Sequence, residues 1–383
     1  MTDCTTQPLL FSSLGSKKIQ ADFNGGSLTS DAGALLLREV DKRLGLIDAL
    51  DRCIPDPRNE FYLVHLQKTL LAQRIFGMAL GYEDLNDHQT LREDPVHGNQ
   101  EKRFFHGYYD RYCFLPLYVF CGSQLLVAYL RPSNIDAAHH SRAILKLLVQ
   151  RFRQVWPGVR IIFRGDSGFC RWRLMRWCDR HEVNYIIGLA RNAVLERLAQ
   201  PWRDSSRTRF EQSGQKQRIF GELTYAAETW DRPRRVIVKA EHLPQGENTR
   251  FVVTNLAGDP QELYDKLYCQ RGAMENRIKE QQLGLFADRT SCHDFVANQF
   301  RVLLSAAAYV LMETIRRVGL AQTELAHAQV GTIRRKLLKI GARVVCSVRR
   351  IVLHLAGGYP YRAIFAEVLC RLGSAFLPRL TSG

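Results

Sequence analysis

The sequence predicts an α/β fold: a mixed sheet with flanking helices, set between helical N- and C-terminal regions and carrying a β-rich insertion. Three observations predict it. Between residues 114 and 189 short apolar or β-branched runs alternate with amphipathic stretches, as when helices lie on a sheet. Before residue 81 and after residue 259 apolar residues recur at helical spacing instead. Between about 191 and 259 three strand-like runs follow one another with only turns between them.

Taken in order, residues 1–27 read as irregular and contain glycine. Thr29 or Ser30 is placed to cap a helix through Leu35, Leu36, Val40 and Leu44, with Gly45 as its stop. Leu63, Leu66, Leu70, Leu71 and Ile75 predict a second helix over roughly 60–80, ended by Gly81. The runs 114–121 and 124–130, split by Gly122-Ser123, predict a β-hairpin. A helix is expected over 137–156, ended by Pro157-Gly158, then a strand over 159–163 that runs into Arg164-Gly165-Asp166. Residues 172–181 read as helix and 184–189 as strand. The insertion at about 191–259 holds the runs 218–226, 235–241 and 249–256 and is expected to form a small antiparallel sheet. Asp259-Pro260 opens a long helix to about Leu283, and helices are expected to dominate from there to the end.

The 383 residues carry a net charge of +16, with 46% hydrophobic and 24% charged residues. That composition is globular, and the charge points to a polyanion such as nucleic acid. From Glu313 onward 12 Lys or Arg face three acids, so the last fifth of the chain holds +9 of the total. Arg334, Arg335, Lys336, Lys339, Arg349 and Arg350 are its candidate phosphate contacts, although a solvated helical face has the same composition. The 10 cysteines contain no Cys-x-x-Cys pair, and residues 1–16 do not read as a signal peptide. Val302–Met312 is too short to span a bilayer. A cytoplasmic chain with reduced thiols and no membrane partner is expected. No Gly-x4-Gly-Lys-Ser/Thr loop is present. His139 and His140 are adjacent, not one helical turn apart, so they do not make a zinc pair and read as helix surface or partly buried.

Two places can carry chemistry. Asp166 follows a strand and is flanked by Gly165 and Gly168, which leave room for an ion or phosphate; an Asp that caps the next helix gives the same pattern. On a helix, Tyr268, Arg271, Glu275, Lys279 and Gln282 fall on one stripe beside an apolar stripe of Leu267, Met274, Ile278 and Leu285. Arg271 and Lys279 stand one turn either side of Glu275, placed to hold its carboxylate or bind phosphates. A surface ladder of i,i+4 ion pairs reads identically.

Tyr268-x2-Arg271-x3-Glu275 with Lys279 close behind resembles the signature around the third catalytic acid of DDE-type insertion-sequence transposases. Further stretches are similar to the group 1 branch: Phe23–Gly33, Gly81–Asp87, His97-Gly-Asn-Gln, Phe105–Asp110, Arg164–Phe169, Asp288–His293 and Asn298–Arg301. The resemblance implies a ribonuclease-H-like catalytic core at 94–310, between a helical region at 1–93 with DNA contacts and a basic region at 311–383. It implies strand cleavage and transfer with Mg²⁺ or Mn²⁺ held by two Asp and one Glu. By motif, Asp166 matches the second Asp and Glu275 the Glu, with Tyr268, Arg271 and Lys279 in support. The implied partners are DNA, as terminal inverted repeats and target, and further copies of the chain on the DNA ends, at a bacterial nucleoid.

The chain departs from this branch at one place. There, a strand reading like Leu-Asp-x-Asp-x-Thr-Asp-Asp-Pro precedes the His-Gly motif and supplies the first catalytic acid. Here Asp94-Pro95-Val-His97-Gly98 follows directly on Gln89–Glu93, text that belongs to the helical N-terminal region. Asp94 matches the last Asp of the family run, roughly 20 Å along an extended strand from the catalytic one. The expectation is an internally deleted transposase, defective in catalysis, with Asp94 or Asp110 as the acids that could stand in. The alternative is a non-catalytic DNA-binding remnant that competes for element ends.

Overall fold

The structure is a computed structural model that describes residues 9–21, 28–59, 63, 65–82, 102–106, 111–348 and 351–374. Its first strands are β1 (Leu9–Leu14), β2 (Lys17–Ala21), β3 (Leu28–Thr29), β4 (Phe104–His106), β5 (Arg111–Cys113), β6 (Leu117–Cys121) and β7 (Gln124–Tyr129). They continue as β8 (Ile162–Gly165), β9 (Asn184–Leu189), β10 (Gln217–Tyr225), β11 (Arg234–Leu243), β12 (Gly246–Glu247), β13 (Arg250–Thr254), β14 (Ala342–Cys346) and β15 (Ile351–Leu355). The mixed α/β character expected from the sequence is what the chain adopts. The described residues of 1–102, 116–130 and 277–383 pack as one compact unit, and those of 103–115 and 131–276 as another.

The unit of 103–115 and 131–276 is built on a sheet in the order β10-β11-β13-β9-β8, with β12 paired to β11. Only β8 and β9 run parallel, joined by the Trp172–Arg180 helix; the other pairs are antiparallel. The strands alternate with period two. Tyr185, Ile187, Val236, Val238, Phe251 and Val253 face one core with Leu145 and Val149 of the Ser141–Val155 helix and Leu174, Met175 and Cys178 of the Trp172–Arg180 helix. The intervening Ile186, Ile237 and Val252 face a second core with Leu256, Leu263 and Tyr264. Cover on both faces explains why these strands read as unbroken apolar runs.

The expected hairpin, the helix after Arg171 and the strand at 184–189 lie where the sequence put them. The strands of the 191–259 stretch form no sheet of their own: β10, β11 and β13 extend the sheet of β8 and β9. Helices at Ala193–Leu198 and Gln200–Ser213 precede them and were not legible as such. Alternation fixes which face a residue takes; it does not say which strand it pairs with.

In the other unit, helices Ala34–Leu44, Leu46–Cys53 and Gln67–Leu80 pack with the Phe295–Thr314 helix around Leu37, Val40, Ile75, Met78, Ala308, Tyr309 and Met312. Gly45 ends the first helix in the left-handed region, at φ 61°, a conformation that favours glycine. The first helix starts at Ala34 without a side-chain cap, and Thr29 instead accepts a hydrogen bond from Asp31 N. The apolar helix is longer than its 302–312 core: Phe295–Gly319 is 25 residues, enough by length and composition to cross a membrane, and half of its most apolar window is buried inside the unit. The core it fills accounts for that apolarity.

Three further expectations need correction. Residues 9–21, expected to be irregular, form the β1–β2 hairpin. The C-terminal region is not wholly helical: β14 and β15 pair antiparallel, and β14 also pairs with β3. The long helix from Pro260 is interrupted as well, being π-wound at Leu263–Tyr268 and Glu280–Gly284 on either side of the Gly272–Lys279 α-helix.

Candidate functional site

Asp166 stands immediately beyond the end of β8, solvent-exposed, where the strand gives way to a short turn at Ser167–Phe169. Its Oδ1 accepts a hydrogen bond from Gly168 N at 2.8 Å, so it does cap that turn. The cap uses one oxygen; among the described residues the other meets no donor. The turn fixes the carboxylate and leaves half of it facing outward, so the cap does not preclude a ligand there.

Leu267, Tyr268 and Gln270 of the Pro260–Gly284 segment approach this turn and the strand before it. Arg164, on β8, donates from Nη1 to Leu267 O at 3.0 Å and to Gln270 Oε1 at 3.4 Å, tying the strand to the segment. Gly188, on neighbouring β9, explains how close the two come. A Cβ built there would lie 2.6 Å from the Tyr268 hydroxyl, 3.0 Å from Ser167 N and 3.3 Å from the Asp166 carbonyl carbon. Only a bare backbone leaves that space. Burial pushes the Tyr268 phenol above its ordinary value, Arg271 pulls it down and the charge of Asp166 pushes it up again. The net rise keeps the phenol protonated at neutral pH, a donor beside the Asp166 turn.

Arg271 lies 5.9 Å from the Tyr268 ring centroid and pairs with Glu275 at 3.0 Å, one turn on. Glu275 itself is more than half exposed. Asp166, Tyr268, Arg271 and Glu275 thus form a contiguous run within one unit, each in contact with or charge-coupled to the next. Lys279, exposed, ends the same α-helix. Two of the acids named from the sequence are present, but no three of the described Asp, Glu, His or Cys residues lie close enough together to hold a metal ion. The donor type suits magnesium, which prefers carboxylate oxygens; the number of donors does not. Asp94 and Asp110 lie outside the described residues.

The predicted basic contacts fare unevenly. Arg334 points inward: Nε donates to Ala79 O at 2.8 Å and Nη2 to Met78 O at 3.1 Å and to Gly284 O, satisfying carbonyls at the end of the Gln67–Leu80 helix. Lys339 pairs with Asp31 at 2.7 Å and lies 4.1 Å over the Tyr82 ring. Lys336 sits 4.6 Å over Tyr361. Arg335 is exposed, and Arg349 and Arg350 lie outside the described residues.

Sequence reasoning missed Arg164 and Gly188 as parts of the site. A glycine inside the apolar run Tyr185–Leu189 was the available signal, because glycine in a strand marks close approach of another group. Residues of the Asn298–Arg301 motif turn out to hold the scaffold. Asn298, fully buried, bonds both Cys292 N and Cys292 O, and Gln299 accepts from Leu130 N at 2.6 Å just past β7.

The solved structure of a piggyBac transposase synaptic complex with hairpin DNA is similar at a TM-score of 0.40 and 8% identity, over 92% of this chain and 84% of that one. That likeness is too low to bear on the site. No curated protein matches the chain. The family profile described as transposase DDE domain group 1 matches residues 11–96 and 93–376, two stretches that meet within four residues and together span nearly the whole chain. By that match the chain belongs to the group 1 family of DDE-domain transposases.

Proposed function

We propose that this chain is an insertion-sequence DNA transposase that retains two of its three catalytic acids, Asp166 and Glu275, and has lost the segment bearing the first. The observation that carries the reading is the two-part family match. Its first stretch ends at 96 and its second begins at 93, as they would if the family text between them were missing from this chain. The join falls at Glu93-Asp94, where the helical text runs straight into Asp-Pro-x-His-Gly.

The sheet supports the same reading. In a ribonuclease-H-like core, the arrangement the family implies, the strand with the first acid lies beside the strand with the second. Here β8 is an end strand of its sheet and, among the described residues, pairs with β9 alone. The β6–β7 hairpin makes a separate two-stranded sheet. The domain division at about 94 and 310, assembly on paired DNA ends and a place at the nucleoid belong to the same proposal.

Divalent metal, as Mg²⁺ or Mn²⁺, would supply activation of the attacking oxygen and stabilisation of the leaving one. Asp166 and Glu275 are the residues to hold it, and two carboxylates fall short of the set the family uses. Tyr268 and Arg271 position those carboxylates: Tyr268 packs under the Asp166 turn, and Arg271 holds Glu275. The chain on this reading binds DNA and cleaves it weakly or not at all. In that second state it is a remnant that competes with an intact enzyme for element ends.

The test is cleavage of a labelled duplex ending in the element's inverted repeat, with Mg²⁺ and with Mn²⁺, alongside binding of the same duplex. Binding with at most a trace of cleavage is expected. Robust cleavage that disappears in Asp166→Ala would mean that another acid, such as Asp94 or Asp110, completes the site.

A further inference from the structure

On the far side of the Asp166 turn lies an open pocket of about 570 Å³, within the range of ligand sites, lined by residues 136, 138–143 and 171–174. It lies close to the candidate site: Ala137, between the lining residues Asp136 and Ala138, is 3.6 Å from the place a Cβ on Gly168 would take, and the Gly168 N–H holds the Asp166 carboxylate. The catalytic run described above makes no use of it.

Its walls are built and cationic. Arg131, 2% exposed, donates from Nη1 to Ala137 O at 2.9 Å and His139 O at 2.8 Å and from Nε to Leu115 O at 2.9 Å, fixing the loop that forms one wall. Arg171 pairs with Asp136, whose Oδ1 accepts from Ala138 N at 2.8 Å, fixing the opposite wall. That pair neutralises the one acid of the lining. Arg142 and Arg173 remain as exposed lining cations, and Trp172 contributes an aromatic face beside Arg173, 5.4 Å from its guanidinium. The first turn of the Ser141–Val155 helix, which no side chain caps, also opens here and adds the positive end of its dipole.

His139 and His140 complete the lining. Their Nδ1 atoms lie 3.0 Å apart, so one ring donates to the other and the pair adds its ring edges to the lining.

We propose that this pocket binds a backbone phosphate of the DNA strand next to the one presented to Asp166, through Arg142, Arg173 and the His139–His140 pair. The proposal rests on the reading of the chain as a DNA-binding transposase. The phosphate held here is a neighbour of the reacting one, so the pocket sets the register of the strand and takes no part in bond cleavage.

The full chain and its Arg142→Gln/Arg173→Gln variant are titrated with a short fluorescent duplex over rising NaCl and, by calorimetry, with inorganic phosphate. Arg197→Gln/Arg209→Gln is the control of equal charge change outside the pocket, and Arg142→Lys/Arg173→Lys keeps the charge. In the pocket variant alone, the log–log salt slope should shrink by about 0.9 for each phosphate no longer neutralised. Phosphate binding should disappear with it, and the lysine variant should restore both in part. Melting temperatures of the four proteins are compared as a check on folding. Equal weakening in pocket and control variants overturns the pocket while leaving the DNA-binding reading intact. Loss of phosphate binding with unchanged duplex affinity assigns the pocket to a free anion and overturns it as well. A wild-type chain that binds no duplex removes the DNA-binding reading, and this proposal with it.

Discussion

Gly188 has no room for a side chain, because the Tyr268 hydroxyl and the backbone of Asp166 and Ser167 already occupy the place a Cβ would take. Gly188→Ala should destabilise the protein by about 1–3 kcal/mol, the usual cost of overpacking, and displace the Asp166 turn. Denaturant unfolding measures the first, and the protection of the Gly168 amide from hydrogen exchange the second; unchanged values in both would show that Tyr268 simply moves aside. A second residue sets an acid limit. Glu241 is buried, which alone would raise its carboxyl, but Lys216, Lys239 and Asn248 hydrogen-bond it and hold it down to about 2, against an ordinary 4.5. A lowered carboxyl stabilises the fold fully above its unfolded value and loses that contribution as pH falls. Melting temperature should therefore drop between about pH 4.5 and 2, with a shallower drop in Glu241→Gln. Parallel pH profiles for the two proteins would contradict this.

At the scale of elements, the Pro260–Gly284 segment, the Phe295–Thr314 helix and its π-wound extension are joined by charge as well as by packing. Arg316, 4% exposed, donates to Glu313 at 2.5 Å and Glu280 at 2.6 Å; Glu280 also pairs with Arg277 at 3.0 Å and accepts from Val330 N at 2.9 Å. Removing one partner leaves a buried charge uncompensated, so Arg316→Met should cost about 3–5 kcal/mol in urea unfolding. A cost below about 1 kcal/mol would mean that water enters and the network contributes little. Much at this scale was legible from the sequence. The run into Arg164-Gly165-Asp166 reads as strand then turn, and the unbroken apolar, largely β-branched runs give β9, β11 and β13. What local pattern does not carry is partnership. Nothing within residues 218–256 says that β13 pairs with β9, and nothing around Arg334 says that its guanidinium meets carbonyls at 78 and 79. The β14–β15 hairpin was hidden because its β-branched runs are short and sit among basic residues that favour helices equally.

For the whole molecule, not every cation of the basic C-terminal stretch is on offer to a polyanion. Arg316, Arg334, Lys339 and Arg371 of the basic C-terminal stretch are engaged within the fold, by Glu280 and Glu313, by backbone carbonyls, by Asp31 and by Glu367. Arg334→Met should accordingly lower stability and leave the salt slope of duplex binding unchanged, whereas Arg335→Gln, on an exposed side chain, should reduce that slope by about 0.9 per phosphate released. Equal slopes in the two variants would return Arg334 to the DNA surface. If a segment bearing the first acid is missing between Glu93 and Asp94, putting it back should restore catalysis. The measurement is metal-dependent cleavage of inverted-repeat duplex by the chain as it stands and by the same chain carrying, at that join, the Leu-Asp-x-Asp-x-Thr-Asp segment of an intact family member. Little or no cleavage is expected from the first and clear cleavage from the second, abolished in both Asp166→Ala and Glu275→Ala. Robust cleavage by the unrestored chain, or none by the restored one although it folds and binds the duplex, would contradict the loss of the first acid.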